Sequence, residues 1–254
     1  MHVLASRLSW RRLPWLGEII SIGVGYVLYS LIRVLANSQG DVARLHAEQV
    51  IAVERWFGIF HEMPVNAFLT QHHWLELVCS YYYATLHFVV TPLLLAWLWH
   101  RRARLYAPLR SALVIASGSA LVVYAAWPLA PPRFTLDGAV DTIIEHPVVW
   151  ASGPKVEGFF NDFAAMPSLH VAWAVWCAMA VTAVLRSRWR HLAWLYPIGT
   201  TLVVVATANH FLLDAVGGLV IVAVPWYLCG LRIRRHVPTV YRVETVPVSE
   251  PVAA

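Results

Sequence analysis

Lysine is all but missing from this chain: Lys155 is the only one in 254 residues, and every other basic side chain apart from histidine is arginine. Charge of either sign is scarce, at 13% against roughly 25% in an ordinary soluble domain, while 59% of the residues are hydrophobic. A soluble globular class is thereby excluded. Cysteine is scarce too. Cys79, Cys177 and Cys229 are odd in number, lie inside apolar runs and show no CxxC spacing, which excludes a disulfide framework and a thiolate metal site. Neither an internal repeat nor a low-complexity tract is present, against a solenoid or a transporter built from repeated halves. The formal charge of +5 and a pI near 9.3 do not indicate nucleic acid, because the arginines form short clusters between apolar blocks rather than one basic face.

What is present is a series of apolar blocks of membrane-spanning length. Six candidate spans run over about 16–36, 74–97, 108–128, 167–185, 191–208 and 212–230, each near the roughly 20 residues a helix needs to cross the hydrocarbon. Arg7, Arg11 and Arg12 precede the first block; Arg101, Arg102, Arg104 and Arg110 separate the second and third. Arg186, Arg188 and Arg190 follow the fourth, and Arg232, Arg234 and Arg235 follow the sixth. All four clusters then fall on one side, which the positive-inside rule makes cytoplasmic. Both termini are expected in the cytoplasm of a multi-pass cell-membrane protein, with 37–73, 128–166 and 209–211 facing outward. A cleaved leader would also start with arginines and an apolar run, but this block is long, carries Glu18 and Arg33 at its edges, and its loss would spoil the alternation.

The expected fold class is all-α: a six-transmembrane-helix bundle with an interfacial amphipathic helix. That helix comes from DVARLHAEQVIAVERWFGIFHE, residues 41–62, where Asp41, Arg44, Glu48, Arg55 and Glu62 share one face and Val42, Leu45, Val53, Trp56 and Phe60 the other. Scaffold and substrate-binding roles both suit it. The domain layout is a cytoplasmic segment 1–15, one membrane domain 16–235 and a disordered cytoplasmic tail 236–254. The outward segment 129–166 is long for a loop and rich in proline and glycine, a length that usually goes with function or disorder.

Chemistry concentrates at three outward ends. In NHFLLDAVGG, His210 and Asp214 stand at i and i+4, so on a helix the carboxylate can take a hydrogen bond from one imidazole nitrogen and leave the other as a basic lone pair. A histidine nucleophile or base requires that arrangement. An acid inside a span is costly and is by default functional, with His210 its partner. In AAMPSLHVAW, Pro167 suits a first helical turn, which puts Ser168 and His170 at an outward helix N-terminus, where exposed amides attract phosphate and Ser168 can donate to it or simply cap the helix. Arg133, in LAPPRF just past the third span, is a bidentate phosphate clamp or an interfacial anchor. The remaining histidines show no such pairing, His46 and His87 being the least settled.

PSLHV with HFLLD, preceded by APPR, resembles the type-2 phosphatidic acid phosphatase superfamily over about 20–230, and most closely its branch of inositol phosphorylceramide synthases. The resemblance implies a six-helix membrane bundle that uses no metal and no cofactor. It implies that His210 attacks phosphorus to form a phosphohistidine, Asp214 orients it, His170 protonates the leaving group, and Ser168 and Arg133 hold the phosphate. Two departures stand out. Ala126 occupies the position of a phosphatase lysine, and Val203 and Val204 replace a Ser-Arg pair, which favours the phosphotransferase branch. Lys155, in the long outer loop, is not counted on as a phosphate ligand.

The expected function is therefore transfer or hydrolysis of a phosphoryl or phosphoinositol-type group of a lipid phosphate at the extracytoplasmic face. Two alternatives stand beside it. One is plain hydrolysis of a lipid phosphate or isoprenoid diphosphate; the other is a non-enzymatic transporter or assembly factor that uses the His/Asp pair for coupling. The expected partners are the bilayer and a lipid phosphate.

Overall fold

The computed structural model describes residues 14–142 and 162–236; the N-terminal arginines, Lys155 and the C-terminal tail lie outside them. Among the described residues there is no strand, only an isolated bridge between Leu129 and Ala164. The helices are α1 (Pro14–Asn37), α2 (Gly40–Phe57), α3 (Glu62–Thr70), α4 (His73–Arg101), α5 (Ala103–Ala126), the short α6 (Pro132–Thr135), α7 (Leu169–Val184), α8 (Leu195–Ala206) and α9 (Leu212–His236). A 3-10 segment, Arg188–Trp194, leads into α8.

The sequence of α7 is apolar on every side, as a helix enclosed by others must be. It packs against α4, α5, α8 and α9, with Ala172, Ala174, Trp176, Ala178 and Ala180 fully buried. Two indoles lock it to α5: Trp176 Nε1 donates to the Leu109 carbonyl at 2.9 Å, and Trp173 Nε1 to Ser117 Oγ at 3.0 Å. The α7–α9 contact is tightest at Gly218. A Cβ there would stand 2.5 Å from the Ser168 carbonyl oxygen, so glycine lets the two helices close. On the outside, α1, α4, α5 and α9 carry exposed Ile22, Val122, Leu93 and Tyr227, the surface a lipid environment covers. α1 packs on α5, tied by an ion pair of 2.8 Å between Glu18 and Arg110.

Among the described residues, four helices are long and apolar enough to cross a membrane: Leu16–Val34, His73–Arg101, Ala103–Ala126 and Leu212–Gly230. The fourth and fifth expected spans are shorter helices, α7 at 16 residues and α8 at 12. Enclosure by neighbours relieves α7 of meeting lipid along its length. α8 is lengthened by the 3-10 segment before it, where Trp189 and Leu192 are exposed.

The amphipathic segment differs from expectation in two respects. Gly58, at φ +69°, ends α2, and Glu62 opens the separate α3 instead of continuing a polar face. The inward face of α2 is a stripe of Ala43, Ala47, Val50 and Glu54, whereas Val42, Leu45, Val53 and Trp56 are exposed, Trp56 by 80%. Small residues let α2 approach the bundle closely, and its large apolar residues face outward as they do on a helix lying in an interface.

Candidate active site

The turn before α9 is built by carboxylates. Asp214, the third residue of the helix, reaches back so that its Oδ2 accepts from the Phe211 amide at 2.8 Å, half of a capping box. Glu62 of α3 accepts from the Leu212 amide at 3.0 Å, and Glu54 of α2 from the Leu213 amide at 2.7 Å. The Asp214 amide itself donates to the Phe211 carbonyl at 3.1 Å. All four amides that a helix start leaves unpaired thus find acceptors. Burial, the main cause, and the neighbouring Glu62 carboxyl together raise the Glu54 pKa to about 8, against the opposing pull of the Leu213 amide.

His210 therefore sits in the turn ahead of the helix and not on the helix with Asp214. Its Nδ1 donates to the Ala165 carbonyl at 2.8 Å and lies 3.3 Å from Asp214 Oδ2. The backbone carbonyl is the nearer acceptor, and the carboxylate a second, longer one. With the proton held on Nδ1, Nε2 keeps its lone pair. The His210 and Asn209 amides both donate to the Val204 carbonyl, at 3.1 and 3.2 Å. Val204, where the resemblance leads one to look for arginine, thus acts through its backbone.

Ser168 caps α7. Its Oγ accepts from the Val171 amide at 3.5 Å, its own amide donates to the Asp214 carbonyl at 2.9 Å, and its side chain is fully buried. The hydroxyl of Tyr124 donates to the adjoining Pro167 carbonyl at 2.6 Å. His170, on the first turn of α7, stacks on Tyr83 with ring centroids 4.3 Å apart, and its ring lies 5.7 Å from that of His210. The two histidines thus come together from the first turn of α7 and the turn before α9.

Arg133 arrives from α6. Its backbone amide donates to the Ala208 carbonyl at 3.0 Å, its Nη1 donates to Asn209 Oδ1, and its Nε pairs with Asp141 at 3.0 Å. Asn209 is held in turn by donating to Thr207 Oγ1 and the Thr207 carbonyl at 2.9 and 3.0 Å. The guanidinium is therefore tied to Asn209, the residue before His210, with part of its charge already answered by Asp141. His46 has a structural place: its Nδ1 lies 2.7 Å from the Pro128 carbonyl and its ring stacks on Trp127, joining α2 to the segment before Arg133. A cavity of about 450 Å³ opens between α2 and α6, lined by Glu48, Arg55, Phe60, Met63, Thr135 and Asp137 among others; it abuts the helix of Arg133 and does not include the histidines.

A family model described as the PAP2 superfamily matches residues 48–228. The chain belongs to the PAP2 superfamily. The match runs from within α2 to within α9 and takes in the residues just described apart from His46, so the superfamily's activities, lipid phosphate hydrolysis and phosphotransfer, are the frame in which this PAP2 member is read. No curated protein and no solved structure matches the chain.

The residues that sequence reasoning missed are Glu54, Asn209, Asp141, Tyr83 and the Ala165 carbonyl. Asn209 adjoins His210 and could have been suspected from that alone. The others are joined to the site only by contacts between segments distant in sequence.

Proposed function

We propose that this PAP2 member is an inositol phosphorylceramide synthase-like phosphotransferase, acting on a lipid phosphate at the extracytoplasmic face of a six-span bundle through a phosphohistidine on His210. The observation that carries it is the fixed His210 tautomer, with Nδ1 held by Ala165 and Asp214 and a second imidazole, His170, at 5.7 Å between ring centroids. In the first step Nε2 of His210 bonds to phosphorus, the bond from phosphorus to the leaving oxygen breaks, and His170 gives that oxygen its proton. In the second, an alcohol or water gives its proton to His170 as its oxygen takes phosphorus from His210, restoring both histidines. Arg133 and the α7 start, with Ser168, would stabilise the charge that builds on the equatorial oxygens.

Transfer is favoured over hydrolysis of a monoester by the charge count. Arg133 is the cation joined to the turn of His210, through Asn209, and Asp141 neutralises part of it. A phosphodiester donor brings a single negative charge to that site and a phosphomonoester nearly two, so the diester is the better match.

The deciding experiment incubates purified protein in detergent and EDTA with a panel of phosphoinositides, lipid phosphates and isoprenoid diphosphates, beside His210→Ala. We expect a new phospholipid from the diesters, lost in the variant. Turnover surviving in His210→Ala would overturn the mechanism, and free phosphate as the main product would return the assignment to a phosphatase.

A further inference from the structure

His87 has no part in the chemistry above, yet it lies in the middle of α4, where an ionisable side chain is costly and by default functional. Its ring meets that of His170 edge-on, with centroids 4.2 Å apart, while Tyr83 stacks on the same imidazole at 4.3 Å. Beside the pair is a small cavity of about 10 Å³, lined by Tyr82, Tyr83, His87, His170, Tyr196, Thr200 and Val204. That is roughly the space one water needs.

The polar groups around it are either unsatisfied or able to accept more. The Tyr196 hydroxyl is buried without a hydrogen-bond partner, and His87 has no partner beyond the backbone of Tyr83, one turn back on α4. Thr200 Oγ1 donates to the Tyr196 carbonyl at 2.9 Å and lies 2.9 Å from the Tyr82 hydroxyl, which leaves lone pairs in reach of a guest. His170 forms no hydrogen bond among the described residues, in contrast to His210, whose Nδ1 has two acceptors. Leaving buried polar atoms unpaired is costly, and a single water with two to four polar neighbours removes that cost.

We propose that His87 is the positioning residue of His170: a water in this cavity joins the two rings, fixes the tautomer of His170 and turns its acid nitrogen toward the leaving oxygen, as Ala165 and Asp214 do for His210. The inference rests on the role given to His170 above. Outer partners of a working imidazole typically contribute about 10–100-fold, which sets the size of the effect.

The test compares wild type, His87→Phe, which keeps a ring but no nitrogen, and His87→Gln, which keeps hydrogen-bonding capacity. On a donor series of graded leaving groups, His87→Phe should lower kcat about 10–100-fold for poor leaving groups and much less for good ones, with KM little changed and most of the loss recovered in His87→Gln. A purely structural role would lower all donors alike, so an even loss, or none on poor leaving groups, overturns the proposal. Nitrogen-15 NMR in detergent, recorded at a pH where the His170 ring is neutral, needs no substrate: one His170 tautomer should dominate in wild type and a mixture in His87→Phe. An unchanged tautomer overturns the inference even if transfer by His210 stands, whereas failure of the His210→Ala control sinks the wider mechanism separately. If His87→Phe does not fold, Tyr196→Phe takes its place with the same two outcomes.

Discussion

In the proposed mechanism, Asn209 and Asp141 decide how Arg133 meets its substrate. Each holds one edge of the guanidinium, so the fork is oriented before phosphate arrives, and a charge-assisted bond of this kind contributes about 1.5–3 kcal/mol. Asn209→Ala should lower kcat/KM about 10-fold or more by letting the fork turn, measured on whichever donor the panel identifies. Asp141→Asn frees a full positive charge and should narrow the preference for diesters over monoesters; an unaltered ratio would show that Asp141 takes no part in selecting charge. At this scale the sequence was legible where the spacing was short. His210 and Asp214, four apart, and Ser168 and His170, two apart, announce themselves because local backbone sets their relation. What spacing could not disclose was that His210 precedes the helix, so that Ala165, from another segment, becomes its nearer acceptor. Asp141 reaches Arg133 across an irregular loop with no period to read.

At the scale of elements, the start of α9 depends on α2 and α3. Glu54 holds a proton in the folded protein up to about pH 8 that the unfolded chain releases near its ordinary 4.5. Folding therefore binds a proton within that window, so stability falls as pH rises from about 5 to 8 and levels off above. Thermal inactivation midpoints across that range should show the decline, and Glu54→Gln should flatten it. Gly218→Ala pushes α7 and α9 apart at the Ser168 carbonyl and should lower the inactivation temperature together with activity. The helices themselves were readable from apolar run length. The buried acid of α2 was not, because Glu54 continues a stripe of alanines and valine that looks too slight to be an inward face, while Val42, Leu45 and Trp56 look like one. In an interface the large apolar face turns to lipid and the small one to protein.

Across the whole molecule, the four long apolar helices among the described residues are those of a membrane protein, and in sequence the arginine clusters stand at the ends of apolar blocks. The three native cysteines are buried, so introduced ones can be labelled against a quiet background. Asp137→Cys in intact cells should react with an impermeant maleimide, and Arg102→Cys only after the membrane is opened; the reverse pattern would invert the orientation. Six crossings were inferred from blocks near twenty residues, yet α7 and α8 fall short of that length as α-helices. One is shielded by protein, and the other gains reach from a 3-10 turn, neither of which a hydropathy window registers.

The carboxylates at the start of α9 also bear on the order of assembly. Glu62 and Glu54 leave the ribosome 150 and 159 residues ahead of the amides they receive. Through most of synthesis those acids have no helix to cap, and the turn that carries His210 has no frame. Closing so long a separation is slow relative to local helix formation. The frame around His210 is thus closed last, when the chain's final helix brings its amides to acids made long before.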